Sequence, residues 1–202
     1  MYAAPVETRE QAIALLGRYC DVEERITLIP PSAKSRGLYF RSIESVVADA
    51  GEGEQYRRLF PERFAAVMWY PASEFLVRLV VAGALLASPE RVQEGMFEIG
   101  RRNAVAFSES LLGRAMLRLL SRDPKRLLHQ GAAARRQSSS FGHWDLCFPD
   151  GREAIVDMRE EYMYIESYLL GAARGTFDAI GIAVDARCEL DTRFSGRHLL
   201  SW

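Results

Sequence analysis

Residues 138–158 read SSSFGHWDLCFPDGREAIVDM, and within them the spacing of apolar residues changes from helical to strand-like. Trp144, Leu146 and Phe148 alternate with less apolar neighbours, which is typical of a strand with one buried face. Pro149-Asp150-Gly151 is turn chemistry, because proline presets a turn dihedral angle and glycine accepts a positive φ. The alternation resumes over residues 154–158, so the stretch predicts a β-hairpin.

The chain before this hairpin predicts helices. Ser88-Pro89-Glu90 and Asp123-Pro124 each place a capping side chain before a proline at the first helical position. Apolar residues at helical spacing predict further helices from about residues 39, 75 and 111 onward. The stretch Pro61–Pro71 is apolar without a period and predicts a buried connector.

The chain after the hairpin returns first to a helix and then to strands. Residues 162–175 predict a helix that is apolar on more than one side, and Ile180, Ile182 and Val184 alternate as in a strand. A turn is predicted at residues 189–192 and a last strand over residues 194–202. The order, helices followed by ββαββ, predicts an α+β fold with a helical layer packed on an antiparallel sheet. We expect a single domain over residues 1–202, mainly helical over 1–136, with the sheet and one helix over 137–202.

Composition narrows the class of protein. Lys plus Arg is 26, Asp plus Glu is 27, and 49% of residues are apolar, which excludes a disordered chain and bulk electrostatic coating of nucleic acid. No apolar run approaches the roughly 18 residues that a membrane span needs. The N-terminal residues lack the basic start and apolar stretch of a signal peptide. We therefore expect a cytoplasmic globular protein with neither a membrane nor a nucleic-acid partner.

Catalytic motifs are absent from the sequence. It contains no phosphate-binding glycine loop, no HExxH, no CxxC and no GxSxG pattern. Cys20, Cys147 and Cys188 are far apart and odd in number, so we interpret them as small structural residues. The sequence therefore predicts neither an enzyme nor a metal site, and it leaves any cofactor unknown.

Three polar features have a functional interpretation and a simpler structural one. His129 is an axial haem ligand if its helix faces an apolar cavity, or a cation favoured by the helix dipole. The acids Asp157, Glu160, Glu161 and Glu166 suit acid–base work, or stabilise a helix start. The basic segment 122–136 suits an acidic or phosphate partner, or forms a solvated, salt-screened face. The structural interpretation is favoured in all three cases.

Aromatic side chains are numerous enough to line a ligand pocket, although we assign most of these rings to the core. Asn103 lies on an otherwise apolar helical stripe and needs a hydrogen-bond partner if it is buried. The candidate ligand-binding residues are Trp69, Tyr70, Asn103, Phe107, His129, Trp144, Tyr164 and Tyr168.

Several segments in order resemble a large myxobacterial paralogous family of unknown function. They are RGLYFRS (36–42), YRRLFPER (56–63), YPASEFL (70–76), GRR (100–102) with Phe107, LGRA (112–115) and the closing Trp202. The resemblance covers roughly residues 25–202 and implies no established active site.

The element order alone is similar to haem–nitric-oxide-binding and four-vinyl-reductase domains. That similarity implies a ligand held between a helical layer and a small antiparallel sheet. The sequence lacks the haem family's paired histidine and Tyr-x-Ser-x-Arg pattern, and it lacks the cysteine cluster of some four-vinyl-reductase members.

These observations lead to one functional hypothesis and two alternatives. The hypothesis is a non-enzymatic small-molecule-binding or sensory module with an apolar or aromatic ligand in a pocket between helices and sheet; a homodimer is left open. The first alternative is a haem or gas sensor with His129 as the axial ligand. The second is a protein-interaction or dimerisation module without a ligand.

Overall fold

A computed structural model describes residues 8–109 and 123–202 of the chain, with side chains for all of them except residues 106–109. The chain divides into two compact units, Met1–Met96 and Phe97–Trp202. Helices combine with antiparallel sheets, so the predicted α+β class is confirmed. The single domain over residues 1–202 stays a prediction, and the helix predicted from residue 111 lies outside the described residues.

The N-terminal unit is built around α5 (Ala72–Leu86), which is apolar on nearly every side and almost wholly buried. The elements around it are α1 (Arg9–Leu16), α2 (Val22–Leu28), β1 (Lys34–Arg36), α3 (Gly37–Asp49), α4 (Gly53–Leu59) and β2 (Trp69–Pro71). Among the described residues no single helix is long and apolar enough to cross a membrane, although Ala72–Leu86 and Pro89–Val105 meet that test as a bent pair.

The connector Pro61–Pro71 differs from its prediction, because it is exposed rather than buried. Val67 and Met68 are 73% and 56% exposed. The backbone is held instead by the antiparallel pairing of β1 with β2, and the Gly37 amide donates to the Met68 carbonyl at 2.9 Å. The strand pairing gives the backbone N–H and C=O groups of the connector hydrogen-bond partners. The connector is therefore held in place while its side chains remain in solvent.

Both predicted helix starts are confirmed. A 3-10 turn at Pro89–Arg91 leads into α6 (Val92–Glu109). The next described helix is α7 (Pro124–Ser138), where the Asp123 carboxylate accepts a hydrogen bond from the Lys125 amide at 2.9 Å. The Asp123 cap satisfies a backbone amide that lacks a partner within the helix, whereas the Ser88 side chain makes no capping hydrogen bond.

The C-terminal unit contains the predicted ββαββ sequence of elements. The strands are β3 (His143–Cys147), β4 (Glu153–Arg159), β5 (Asp185–Thr192) and β6 (Ser195–Ser201), all antiparallel in the order β3-β4-β6-β5. A π-helix (Ile165–Leu169) and α8 (Leu170–Ile180) lie between β4 and β5. Alternate residues of β4 are buried, as the hairpin pattern predicts.

The strand predicted over residues 180–184 is wrong. Helix α8 continues through Ile180 and ends at Gly181, whose φ of 71° is left-handed. Phe177 and Ile180 are both buried one helical turn apart, so the apolar residue at 180 belongs to a helical stripe. The turn predicted at residues 189–192 lies within β5, and the helix predicted from residue 162 begins as the π-helix at Ile165.

Glycines bring the backbone of α6 close to that of the π-helix and α8. A Cβ atom on Gly100 would lie 2.0 Å from the Tyr168 carbonyl oxygen, and one on Gly171 would lie 2.0 Å from the Phe97 carbonyl oxygen. Gly175 approaches the Arg101 carbonyl in the same way. Any side chain at these positions would force the helices apart.

We expect Gly171→Ala to lower the free energy of unfolding by about 2 kcal/mol or more, because its methyl group must displace backbone. Gly131→Ala is the matched control, since Gly131 is helical in α7 and its Cβ would meet no atom within 4 Å. We expect that change to stabilise the protein by about 0.5–1 kcal/mol. Chemical denaturation of both variants measures the difference, and equal stabilities would contradict this packing.

Candidate ligand-binding site

The Arg78 side chain, on α5, has no solvent-exposed surface. Its Nε donates to Glu74 Oε1 at 2.8 Å and its Nη2 donates to Glu62 Oε2 at 2.6 Å. The ring centroids of Phe60 and Phe64 each lie 4.5 Å from the guanidinium carbon. Carboxylates and aromatic faces together compensate the buried positive charge.

The two carboxylates that bind Arg78 come from different parts of the unit. Glu74 precedes Arg78 by one turn of α5 and also binds Arg9 of α1 at 2.6 Å. Glu62 belongs to the connector and is 63% exposed. The pKa of Glu62 lies below its ordinary value because its own backbone amide and the Arg78 guanidinium both stabilise the carboxylate. The ion pairs therefore tie α1, α5 and the connector together.

Tyr56, on α4, completes this buried cluster. Its side chain is 1% exposed, and its hydroxyl lies beside the Arg78 guanidinium. Burial raises the pKa of the Tyr56 phenol well above its ordinary value, and the opposing effect of Arg78 is smaller. The phenol therefore stays protonated and neutral.

A cavity of about 750 Å³ opens beside the cluster, and its lining comes from α3, α4 and the connector that follows α4. We call it the α3–α4 cavity. Its aromatic wall consists of Tyr56, Phe60 and Phe64. The other lining residues are Arg41, Glu44, Ser45, Ala48, Gly53, Arg57, Pro61, Glu62 and Arg63.

The chemistry of the α3–α4 cavity suits binding of a small molecule. Ligand pockets typically enclose about 300–1,000 Å³ and combine apolar walls with a few oriented polar groups. The lining contains no histidine and no cysteine. Within residues 8–109 and 123–202, no group of three His, Cys, Asp or Glu side chains is arranged to hold a metal ion.

Two of the residues predicted for a ligand site lie in the N-terminal unit, near this cavity but outside its lining. Trp69 is 38% exposed, and the guanidinium carbon of Arg36 lies 4.2 Å from the centre of its ring. The Tyr70 hydroxyl accepts a hydrogen bond from the Ala65 amide at 3.0 Å, and its ring packs edge-on against Phe64 at 4.5 Å. Tyr70 therefore supports one ring of the aromatic wall.

Four further candidates lie in the C-terminal unit. Tyr164 and Tyr168 are buried in its core, and the Trp144 indole donates to Glu161 at 3.0 Å. Both polar atoms of the Asn103 amide are buried and have no hydrogen-bond partner among the described residues. None of the four lines the α3–α4 cavity, and their role in binding stays a prediction.

His129 and Phe107 complete the candidate set. His129 is exposed in the second turn of α7, and its ring centroid lies 5.3 Å from that of Phe148. The dipole interpretation requires a position near the C-terminus of the helix, and His129 lies well before it. The side chain of Phe107 lies outside the described residues.

The basic segment 122–136 is not wholly solvated, which corrects its structural interpretation. Arg135 is 5% exposed, and its Nη2 donates to Glu161 Oε1 at 2.5 Å. Glu161 is fully buried and also accepts a hydrogen bond from the Met163 amide at 3.2 Å. The next helix begins only at Ile165, so Glu161 serves this ion pair rather than a helix dipole.

Sequence reasoning missed Tyr56, Glu62 and Arg78. Two signals pointed toward them. Residues 56–63 form one of the segments that carry the family resemblance, and Arg78 is a lone cation in the apolar α5 with Glu74 four positions before it. That spacing places the two charges side by side on one helical face.

The sequence of this chain matches a protein family over most of its length. Residues 29–202 match the family described as "Protein of unknown function (DUF2378)". The chain belongs to this family. Its membership confirms the resemblance deduced from the sequence, and no curated protein matches the chain.

Solved structures of H-NOX proteins share the fold of this family member. The Fe(II) unliganded H-NOX protein from K. algicida matches with a TM-score of 0.64 at 14% identity, covering 82% of this chain and 95% of that one. An H-NOX protein from S. oneidensis in the Fe(II)NO ligation state matches at 0.58 and 12% identity, with 82% and 98% covered. At such identities the likeness is one of fold alone.

The H-NOX likeness raises the question of haem, whose iron often takes a histidine ligand. The chain has three histidines, and His129 and His143 are exposed. His198 is buried with its Nε2 2.8 Å from the Ile165 carbonyl oxygen, and burial lowers its pKa to about 4. None of the three lines the α3–α4 cavity. That cavity offers no histidine to a haem iron, and His129 as an axial ligand stays a prediction.

We expect Arg78→Met to lower the free energy of unfolding by about 3 kcal/mol, because it removes two charge-assisted hydrogen bonds and the cation that lies over the Phe60 and Phe64 rings. Arg58→Met is the control: Arg58 is exposed and its ion pair with Glu54 spans 3.9 Å. That change should cost less than about 0.5 kcal/mol. Urea denaturation measures the free energy of unfolding of both variants. A loss of stability below about 1 kcal/mol for Arg78→Met would contradict the stabilising role of the cluster.

We expect no stoichiometric haem complex after incubation with hemin under reducing conditions, because no histidine lines the α3–α4 cavity. The absorption spectrum should lack the Soret band of histidine-ligated haem. A Soret band that is lost in His129→Ala and kept in His143→Ala would instead establish His129 as the axial ligand.

Proposed function

We propose that this chain is a small-molecule-binding, sensory module that takes an apolar or aromatic ligand in the α3–α4 cavity without using haem iron. One observation carries the proposal. The cavity joins three aromatic rings to a buried polar cluster, Tyr56 with Arg78, within a compact unit.

The lining supports a role in binding more than one in catalysis. Ser45 is its only hydroxyl besides the Tyr56 phenol, and no histidine lies in the lining to activate it. The phenol is kept neutral by burial, so it is a poor base. We therefore propose a non-enzymatic function.

The segments that carry the family resemblance also support this site. Residues 36–42 supply Arg41, residues 56–63 supply most of the wall, and residues 70–76 supply Glu74, which binds Arg78. Three separated stretches of sequence therefore contribute to one cavity and its supporting ion pairs. The pocket predicted between helices and sheet, the cytoplasmic location and the homodimer stay predictions.

A second candidate is an interaction module, favoured by a different observation. Leu38, Val67, Met68 and Trp69 are large, apolar and exposed close together along the β1–β2 ribbon. Exposed apolar clusters often mark protein contacts. This candidate needs no ligand.

We expect the neutral fluorophore 1-anilinonaphthalene to bind the purified chain saturably at one site, because its fused rings suit the aromatic wall. Ser45→Trp should abolish this binding by filling the cavity, since Ser45 is exposed and lines it. Asp49→Trp, one turn later on α3 and outside the lining, is the control and should bind normally.

Fluorescence titration measures binding, and circular dichroism checks that both tryptophan variants remain folded. Absence of saturable binding to the wild-type chain would overturn the proposed function. If that protein also self-associated in sedimentation experiments, the interaction module would become the better explanation.

A further inference from the structure

We propose that the ligand of the α3–α4 cavity is an organic anion, an aromatic or apolar molecule that carries one acidic group such as a carboxylate, sulfonate or phosphate. This inference rests on the proposed function and adds the charge of the ligand to it. It starts from the arginines that line the cavity.

Three arginines line the cavity without an acidic partner. Arg41 and Arg63 are exposed and form no ion pair with any described residue. Arg57 uses its Nε to donate to the Gly53 carbonyl at 3.1 Å, which leaves the other nitrogens of its guanidinium available. Most arginines described elsewhere in the unit, including Arg9, Arg25, Arg58 and Arg91, do have carboxylate partners.

The acids of the lining do not cancel these charges. Glu62 is already paired with Arg78 at 2.6 Å, and its depressed pKa keeps it ionised as part of that pair. Glu44 is therefore the one lining carboxylate left without a cation in the described part of the chain. Three guanidinium groups against one free carboxylate favour an anion at the cavity mouth.

Guanidinium groups recognise acidic oxygens through paired, charge-assisted hydrogen bonds, so they would fix the acidic group of the ligand. The apolar part of that ligand would then contact the ring edges of Phe60 and Phe64, because Arg78 lies over both rings and Phe64 also stacks on Phe40. The neutral Tyr56 phenol adds no charge that would repel an anion. The cavity thus offers apolar contacts inside and cations at its edge.

Two probes that differ only in charge test this inference. The probe 1-anilinonaphthalene-8-sulfonate has the same rings as 1-anilinonaphthalene plus one sulfonate. We expect the sulfonate to bind about 10-fold more tightly, and added salt to remove most of this advantage. Ser45→Trp should abolish binding of both probes.

Neighbouring arginines on α4 provide the matched variants. Arg57 lines the cavity, whereas Arg58 lies outside the lining and pairs with Glu54. Arg57→Gln should weaken the sulfonate about 5-fold and change the neutral probe less than about 2-fold. Arg58→Gln should change neither by more than about 2-fold. Arg41→Gln and Arg63→Gln should behave like Arg57→Gln.

The outcomes separate this inference from the proposed function. If the neutral probe binds in the cavity but the sulfonate binds no more tightly, or if Arg57→Gln and Arg58→Gln act equally on it, the anion inference is overturned while the cavity remains a binding site. If neither probe binds the wild-type chain, the proposed function itself fails.

Discussion

The burial of the Arg78 guanidinium constrains the whole N-terminal unit. A cation without solvent must be neutralised where it lies, so the structure must bring carboxylates and aromatic faces to it. Glu74 comes from the same helix, but Glu62 and the rings of Phe60 and Phe64 come from the chain beyond α4. The end of α4 and the connector are thereby fixed against α5, and the concave surface beside them becomes the α3–α4 cavity.

The C-terminal unit also pairs a buried arginine with a carboxylate and an aromatic ring. Arg135 is buried against Glu161, and its guanidinium carbon lies 4.6 Å from the centre of the Phe141 ring. Glu161 is saturated by Arg135, Trp144 and the Met163 amide, and a Cβ on Gly142 would lie 2.5 Å from one of its oxygens. Both side chains of that pair are buried, whereas Glu62 of the Arg78 cluster remains mostly exposed beside an open cavity. Only the second cluster therefore borders the cavity that we propose for a ligand.

Local sequence patterns predicted most of the fold. They could not predict ion pairs between residues that are far apart in the sequence. The proline-marked starts at Pro89 and Pro124, and the hairpin around residue 150, depend on neighbouring residues and were found. The strand predicted at Ile180 failed because an alternation of three residues cannot be told from the end of a helical stripe. The site was missed because Arg78 and Glu62 are 16 positions apart, and only the tertiary fold makes them neighbours.

Fold likeness alone does not give the ligand chemistry of this family member, because a shared architecture does not carry its donor atoms with it. The buried His198 is held neutral beside the Ile165 carbonyl, where it connects β6 to the π-helix. Under the proposed function, binding energy comes from the rings and guanidinium groups that line the α3–α4 cavity. Glu62 both lines the cavity and neutralises Arg78, so a ligand there contacts a group on which the stability of the unit depends. Binding of the proposed ligand would therefore be thermodynamically linked to the stability of the N-terminal unit, which is the coupling that a sensory module requires.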